Sequence, residues 1–176
     1  MFERCRQIKS LHNLPSQMRP FGSEQEYRTF CDSVASIVHT MPEAPLFKKL
    51  LGDIDARPND PMAIQTPWGG VLVTRLEDNN TVVQKNLVVK SGKYLAYEKH
   101  DEKVEELSWK EGLGVLIYRP EDETELRTAI IQQGFAIKLR PGQEHAIIAI
   151  SDLVVWEESL DPKGMDQDLI FLYQPA

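Results

Sequence analysis

Apolar residues recur along this chain with two different periods. Tyr27, Phe30, Val34, Ile37, Val38 and Met41 fall three or four apart, which predicts one buried face of a helix. Ser23 and Glu26 stand at its start with the S-x-x-E spacing that lets side chains satisfy free backbone donors, and Pro42 stops the pattern. A second, shorter helix is predicted from Pro45, with Leu46, Phe47, Leu50, Leu51 and Ile54 as its apolar face. Arg57-Pro58-Asn59-Asp60-Pro61 reads as an extended linker, because its prolines fix the backbone and remove donors. Beyond it the period changes to two. Short alternating or β-branched runs occupy 71–76, 81–89, 94–100, 114–118, 135–139, 145–150, 153–156 and 169–173. Asp78-Asn79-Asn80, Ser91-Gly92 and Pro141-Gly142 are the turn signals between them, and the polar stretch 121–127 fits a loop or a single helical turn. The prediction is an all-β domain of two packed antiparallel sheets over 62–176, preceded by a helical extension over 1–61.

Composition narrows the partners. A chain of 176 residues suits one well-buried domain, and a formal net charge of -7 argues against affinity for phosphate backbones, so nucleic acid is not an expected partner. The only cysteines, Cys5 and Cys31, are too few and too near one end to staple a secreted fold. The start, Met1-Phe2-Glu3-Arg4-Cys5-Arg6, lacks the apolar core of a signal peptide, and no apolar run is long enough to span a bilayer. A cytoplasmic protein with reduced thiols is the expectation. Nucleophile elbows, Walker loops and dinucleotide fingerprints do not occur, and Gly112-Leu113-Gly114 lacks the third glycine of a phosphate cradle.

Chemistry gathers in two places. On a strand, residues two apart share a face, so Ala96, Glu98, His100 and Glu102 point one way and Leu95, Tyr97 and Lys99 the other. Glu105 follows a bend, and His145 arrives from another strand three residues after the Pro141-Gly142 turn. Carboxylates and imidazoles facing an interior are costly unless paired, and a divalent cation held by His100, His145 and one or two of the carboxylates would pair them. The plainer reading is that 101–111 is a solvated hairpin edge in which alternating Lys and Glu discourage aggregation. Trp68, Trp109 and Trp156 read as barrel packing rather than a sugar platform, and His12 and His39 as residues with no catalytic part.

These residues resemble the cupin superfamily, whose first motif has the form G-x5-H-x-H-x3,4-E-x6-G and whose second has the form G-x5-P-x-G-x2-H-x3-N. Gly92, His100, Glu105 and Gly112 match the first, and Gly134, Pro141, Gly142 and His145 the second. Glu102 stands where the second His is expected, Ala149 replaces the closing Asn, and the interval from Gly92 to His100 is longer than the pattern. Within the superfamily, the run 92–107 is similar to the hairpin of type II phosphomannose isomerases, Pro67-Trp68-Gly69 to their entry strand, and Asp166-Gln167-Asp168-Leu169-Ile170 to their closing acidic turn.

The resemblance implies a cupin-type double-stranded β-helix, a jelly-roll barrel. It implies a divalent metal ion (Zn, Mn, Fe or Ni) on His100, Glu102, Glu105 and His145, and a homodimer. It also implies a small carbohydrate-like substrate handled as by a sugar isomerase or epimerase, with Glu98 or Glu102 as the base and Lys99, Lys138 or Arg140 receiving a phosphate. A neutral sugar is at least as compatible with so acidic a pocket. The alternatives are a non-catalytic cupin that binds a small ligand or partner, and an oxygen-using cupin enzyme.

Overall fold

A computed structural model of the chain describes residues 8–37 and 43–175; Cys5 with the rest of 1–7, and Val38, His39, Met41 and Pro42, lie outside the described residues. Helix α1 spans Glu24–Ala35 and α2 Pro45–Asp55. The Ser23 side chain accepts the Glu26 N–H, while Glu26 reaches back to the Gly22 N–H at 2.8 Å, so the predicted cap forms one residue wider than expected. The helix ends at Ala35, where the Ile37 N–H turns to the Val34 carbonyl three residues back, and Ile37 is buried from non-helical backbone.

The strands are β1 (Gln17–Met18), β2 (Ala63–Thr66), β3 (Gly69–Glu77), β4 (Val82–Val89), β5 (Tyr97–His100), β6 (Val104–Glu111), β7 (Leu113–Tyr118), β8 (Leu126–Gln132), β9 (Ala136–Leu139), β10 (His145–Ala149), β11 (Leu153–Leu160) and β12 (Leu169–Tyr173). They form two six-stranded antiparallel sheets in the orders β1-β8-β7-β10-β5-β12 and β2-β3-β4-β11-β6-β9. This is the expected jelly-roll sandwich. The segment 121–127 is no helical turn: Leu126 already begins β8, which pairs with β7 over 127–132 and with β1 at Leu126 and Arg127. The charge run 101–111 is no solvated edge either, since β6 lies between β11 and β9.

Three apolar clusters explain the layers. Between the sheets, Leu95, Leu116, Ile147 and Ala149 of one meet Leu87, Leu107, Trp109 and Val155 of the other. On the outer face of the first sheet, α1 lays Tyr27, Phe30 and Val34 over Val115, Ile117, Ala146 and Ile148. On the outer face of the second, α2 lays Phe47, Leu50 and Ile54 over Leu72, Val88 and Val154. Strand β10 is thus buried on both faces, which is why 146–149 reads as an unbroken apolar run instead of an alternation. Each such side chain contributes about 1.5–3 kcal/mol when fully buried. Among the described residues, no helix is long and apolar enough to cross a membrane.

Candidate metal and ligand site in the barrel lumen

The chain leaves one sheet and enters the other at 101–103, between β5 and β6, and this bend assembles the site. Glu98 lies opposite His145 in the pairing of β5 with β10, and His100 opposite Leu169 in the pairing of β5 with β12. Past the bend the inward positions become Lys103, Glu105, Leu107 and Trp109, all buried. Lys85 on β4 and Glu157 on β11 are direct cross-strand partners facing the same lumen. Gly112 closes β6 with φ 90°, and a Cβ there would stand 2.1 Å from the Asp152 carbonyl oxygen, so only glycine fits the turn.

Both imidazoles are held at Nδ1. His100 Nδ1 is 2.9 Å from Asp168 Oδ1, and His145 Nδ1 is 3.2 Å from the Gln143 carbonyl oxygen. Their rings stack at 6.1 Å. His145 Nε2 stands 2.9 Å from Glu105 Oε1 and 3.9 Å from Glu98 Oε1. Glu105 Oε1 is nonetheless buried with no hydrogen-bond donor in line with it. Glu98, His100 and His145 each offer a ligand atom within 4.8 Å of the others, so this group could hold a metal ion. Two imidazoles oriented through their far nitrogens, beside a carboxylate, are the donor set of many divalent-metal sites. The residues therefore fit the group.

Glu105 is already engaged by the chain's own cations. Lys103 Nζ lies 3.1 Å from Glu105, 2.7 Å from Glu157 and 2.9 Å from Asp166, and Lys85 Nζ lies 2.6 Å from Asp166 and 3.4 Å from Glu157. Burial alone would neutralise these groups; the surrounding carboxylates hold Lys103 well above the usual lysine range, and Lys103 with His145 holds Glu105 well below the usual carboxylate range. Burial pushes Glu98 up to about 7, against the opposing pull of His145. Burial would lower His145, but Glu105 and Glu98 raise it to about 9, whereas His100 is lowered by burial and by Lys103.

Several expected site residues stand elsewhere. Glu102 is exposed and pairs with Lys163 Nζ at 3.0 Å, because the bend carries it off the face it shares in sequence with Glu98 and His100. It does not line the lumen with Glu98 and His145. Lys138 is exposed on the outer face of β9 against Glu106 at 2.8 Å, and Arg140 is exposed against Glu121 at 3.1 Å. Lys99 alternates away from Glu98 on β5 and does not line the lumen. With Glu102 removed from the motif, Glu98 takes the first His position, and Gly92-x5-Glu98-x-His100-x4-Glu105-x6-Gly112 keeps the expected intervals without an extension.

The lumen contains a cavity of about 370 Å³. Its lining includes Glu98, Glu105, His145, Lys85, Lys103, Glu157 and Asp166 together with Trp68, which also packs against the apolar cluster between the sheets as its run predicts. Trp109 is core, edge-on to Phe135 at 5.1 Å, and Trp156 lies on the outer face beneath Lys110. Lys85 and Glu157 lie outside every motif, and Lys103 within 92–107 and Asp166 and Asp168 within 166–170 had no role in the site, yet the strand period marks three of the five. Lys85 shares strand parity with Val83, Leu87 and Val89, Glu157 with Leu153 and Val155, and Lys103 with Leu107 and Trp109. A charge in phase with core apolars faces inward.

No family model and no curated protein sequence matches the chain. Among solved structures it is similar to the capsular polysaccharide assembling protein CapF from Staphylococcus aureus, with TM-score 0.53 and 18% identity over 61% of this chain and 33% of that one. It is also similar to oxalate decarboxylase from Bacillus subtilis, with TM-score 0.52 and 16% identity over 65% of this chain and 30% of that one. A formate complex of the Lactobacillus farciminis oxalate decarboxylase gives TM-score 0.50 and 16% identity over 61% of this chain and 32% of that one. The chain spans about a third of the length of these proteins, and likeness at such identity bears on fold alone. With its two facing six-stranded sheets, its crossing at 101–103 and these neighbours, the chain has the cupin-type jelly-roll fold.

Proposed function

We propose that the lumen binds a divalent metal ion through Glu98, His100 and His145, and that the protein moves a proton between adjacent carbons of a small, uncharged hydroxy-carbonyl compound. The observation that carries this is the pair of imidazoles with Nδ1 occupied by Asp168 and by the Gln143 carbonyl, both beside Glu98. A bound cation supplies a Lewis acid that stabilises negative charge on a carbonyl oxygen. The chain's own part is acid–base chemistry. Glu98, a ligand through one carboxylate oxygen, offers the other to take a proton from the hydroxyl-bearing carbon and return it to the former carbonyl carbon. The hydroxyl proton passes to the former carbonyl oxygen, so the product is an isomer and no co-reactant is consumed.

The carbohydrate class comes from the likeness of 92–107 to type II phosphomannose isomerases, and a homodimer from the likeness to cupins in general. A phosphorylated sugar suits the lumen poorly, because Lys99, Lys138 and Arg140 stand outside it. Incubation with dihydroxyacetone or glyceraldehyde in deuterated water tests the reading. Proton NMR is expected to show metal-dependent exchange at the carbon next to the carbonyl that Glu98→Gln abolishes, and exchange unaffected by Glu98→Gln would contradict it.

A second reading, a non-catalytic pocket for a small ligand, is favoured by one observation: Lys103 and His145 already neutralise Glu105 without a metal. It predicts ligand binding that chelator leaves unchanged and no exchange in deuterated water.

A further inference from the structure

The lumen is lined by two kinds of surface. Its charged groups are all buried or paired, while much of the remaining lining is apolar, with Ile64, Trp68, Val71, Leu87, Leu169 and Phe171 prominent. Ile64 on β2 and Phe171 on β12 belong to edge strands of opposite sheets, and they stay 39% and 51% exposed although large and apolar. They therefore mark where the cavity meets solvent. On the same wall, Thr66 Oγ1 is buried without a hydrogen-bond partner, which leaves one polar contact for a ligand.

Charge limits the ligand further. The two ammonium groups that line the lumen are spent on carboxylates: Lys85 on Asp166 and Glu157, Lys103 on Glu105, Glu157 and Asp166. No cation among the lining residues is left to receive a phosphate or carboxylate, and Glu98 would repel one. A bare polyol fares no better along the apolar wall, where its hydroxyls would give up water and find few partners.

Resting on the proposed proton-transfer reading and narrowing it, we infer that the ligand of this lumen is an uncharged hydroxy-carbonyl compound bearing an alkyl or aryl substituent. Its polar head lies among Glu98, His100 and His145, one hydroxyl or carbonyl meets Thr66, and its apolar substituent covers Ile64, Trp68 and Phe171. The ligand thus covers apolar surface that is otherwise left in water.

Calorimetric titration of the full chain with 2-hydroxyacetophenone, dihydroxyacetone and dihydroxyacetone phosphate tests this. The aryl compound is expected to bind at least about tenfold more tightly than dihydroxyacetone, the scale of one buried apolar group. The phosphate is expected to bind no more tightly than dihydroxyacetone, and Phe171→Ser or Ile64→Ser to remove most of the aryl preference. Equal or tighter binding of the polyol or the phosphate, or no binding of the aryl compound, overturns the inference. Titration needs no turnover, so the two readings fail separately. The aryl preference without isotope exchange supports this inference and removes proton transfer; exchange with dihydroxyacetone bound as tightly as the aryl compound does the reverse.

Discussion

Asp168 holds His100 through one carboxylate oxygen and the backbone of the β5–β6 bend through the other. Oδ1 is 2.9 Å from His100 Nδ1, while Oδ2 accepts the N–H groups of Glu102 at 2.7 Å and Lys103 at 2.9 Å. One side chain therefore fixes the orientation of an imidazole and the crossing that brings Lys103 and Glu105 into the lumen. These bonds hold its carboxyl below the usual range in spite of burial.

Replacing it separates the two roles. Asp168→Asn keeps an acceptor for the bend but loses the charge that orients the imidazole, and is expected to weaken metal binding by about 10–100-fold with a small loss of stability. Asp168→Ala leaves two backbone donors unsatisfied and is expected to cost about 1–3 kcal/mol in addition. Metal titration and urea denaturation of both variants check this; equal stability loss in the two contradicts it.

Lys103 carries the largest electrostatic debt of the lumen, with three carboxylates around one ammonium. Lys103→Met is expected to destabilise the fold by about 3–5 kcal/mol, because Glu105, Glu157 and Asp166 remain buried with fewer counter-charges. Adding Glu157→Gln is expected to restore part of that loss. A denaturation midpoint for the double variant at or below that of Lys103→Met would count against the network as described.

The alternation along the strands made much of this legible, and the turn at 101–103 limited it. Glu98 and His100 share a face in sequence and in space, and the cap at Ser23, helix α2 and the Asp78-Asn79-Asn80 turn stand where their residues place them. Glu102 had the same parity as Glu98, but parity restarts at a sheet crossing, and nothing local marks a crossing in a run so rich in Lys and Glu. Strand β8 escaped because its fully buried residues, Leu126 and Ile131, do not alternate. Lys99, Lys138 and Arg140 stand beside the motifs in sequence but outside the lumen, whereas Lys85 comes from a distant strand whose pairing with β11 brings it inside, where Asp166 and Glu157 hold it.

Stability should fall as the pH rises through the neutral range. His145 is raised to about 9 from an ordinary value of 6.5, so its contribution is full below 6.5 and is lost as pH passes 9. Glu98 is raised to about 7 from 4.5, which removes stability between those values and none above. In chelator, the melting temperature is thus expected to decline from pH 7 to 9.5, and His145→Gln to flatten that decline. A melting temperature that rises over this interval contradicts the assigned ion pair.

The capping of α2 provides a test away from the lumen. Glu111 accepts the N–H groups of Leu46 at 3.2 Å and Phe47 at 2.7 Å, doing from β6 what Ala44 cannot do as an N-cap. Glu111→Ala is expected to cost about 0.5–2 kcal/mol by denaturation and leave metal binding unchanged. Loss of metal binding in this variant would mean that the helix and the lumen are coupled.

The central claim is that Glu98, His100 and His145 form one coordination centre, and metal stoichiometry tests it most directly. Protein purified without chelator, or dialysed against Zn2+ or Mn2+, is expected to hold one ion per chain. That ion should be lost in His100→Ala and in His145→Ala and retained in Glu102→Ala. An empty wild-type protein whose melting temperature does not respond to either ion, or occupancy that survives both histidine substitutions, would contradict the account.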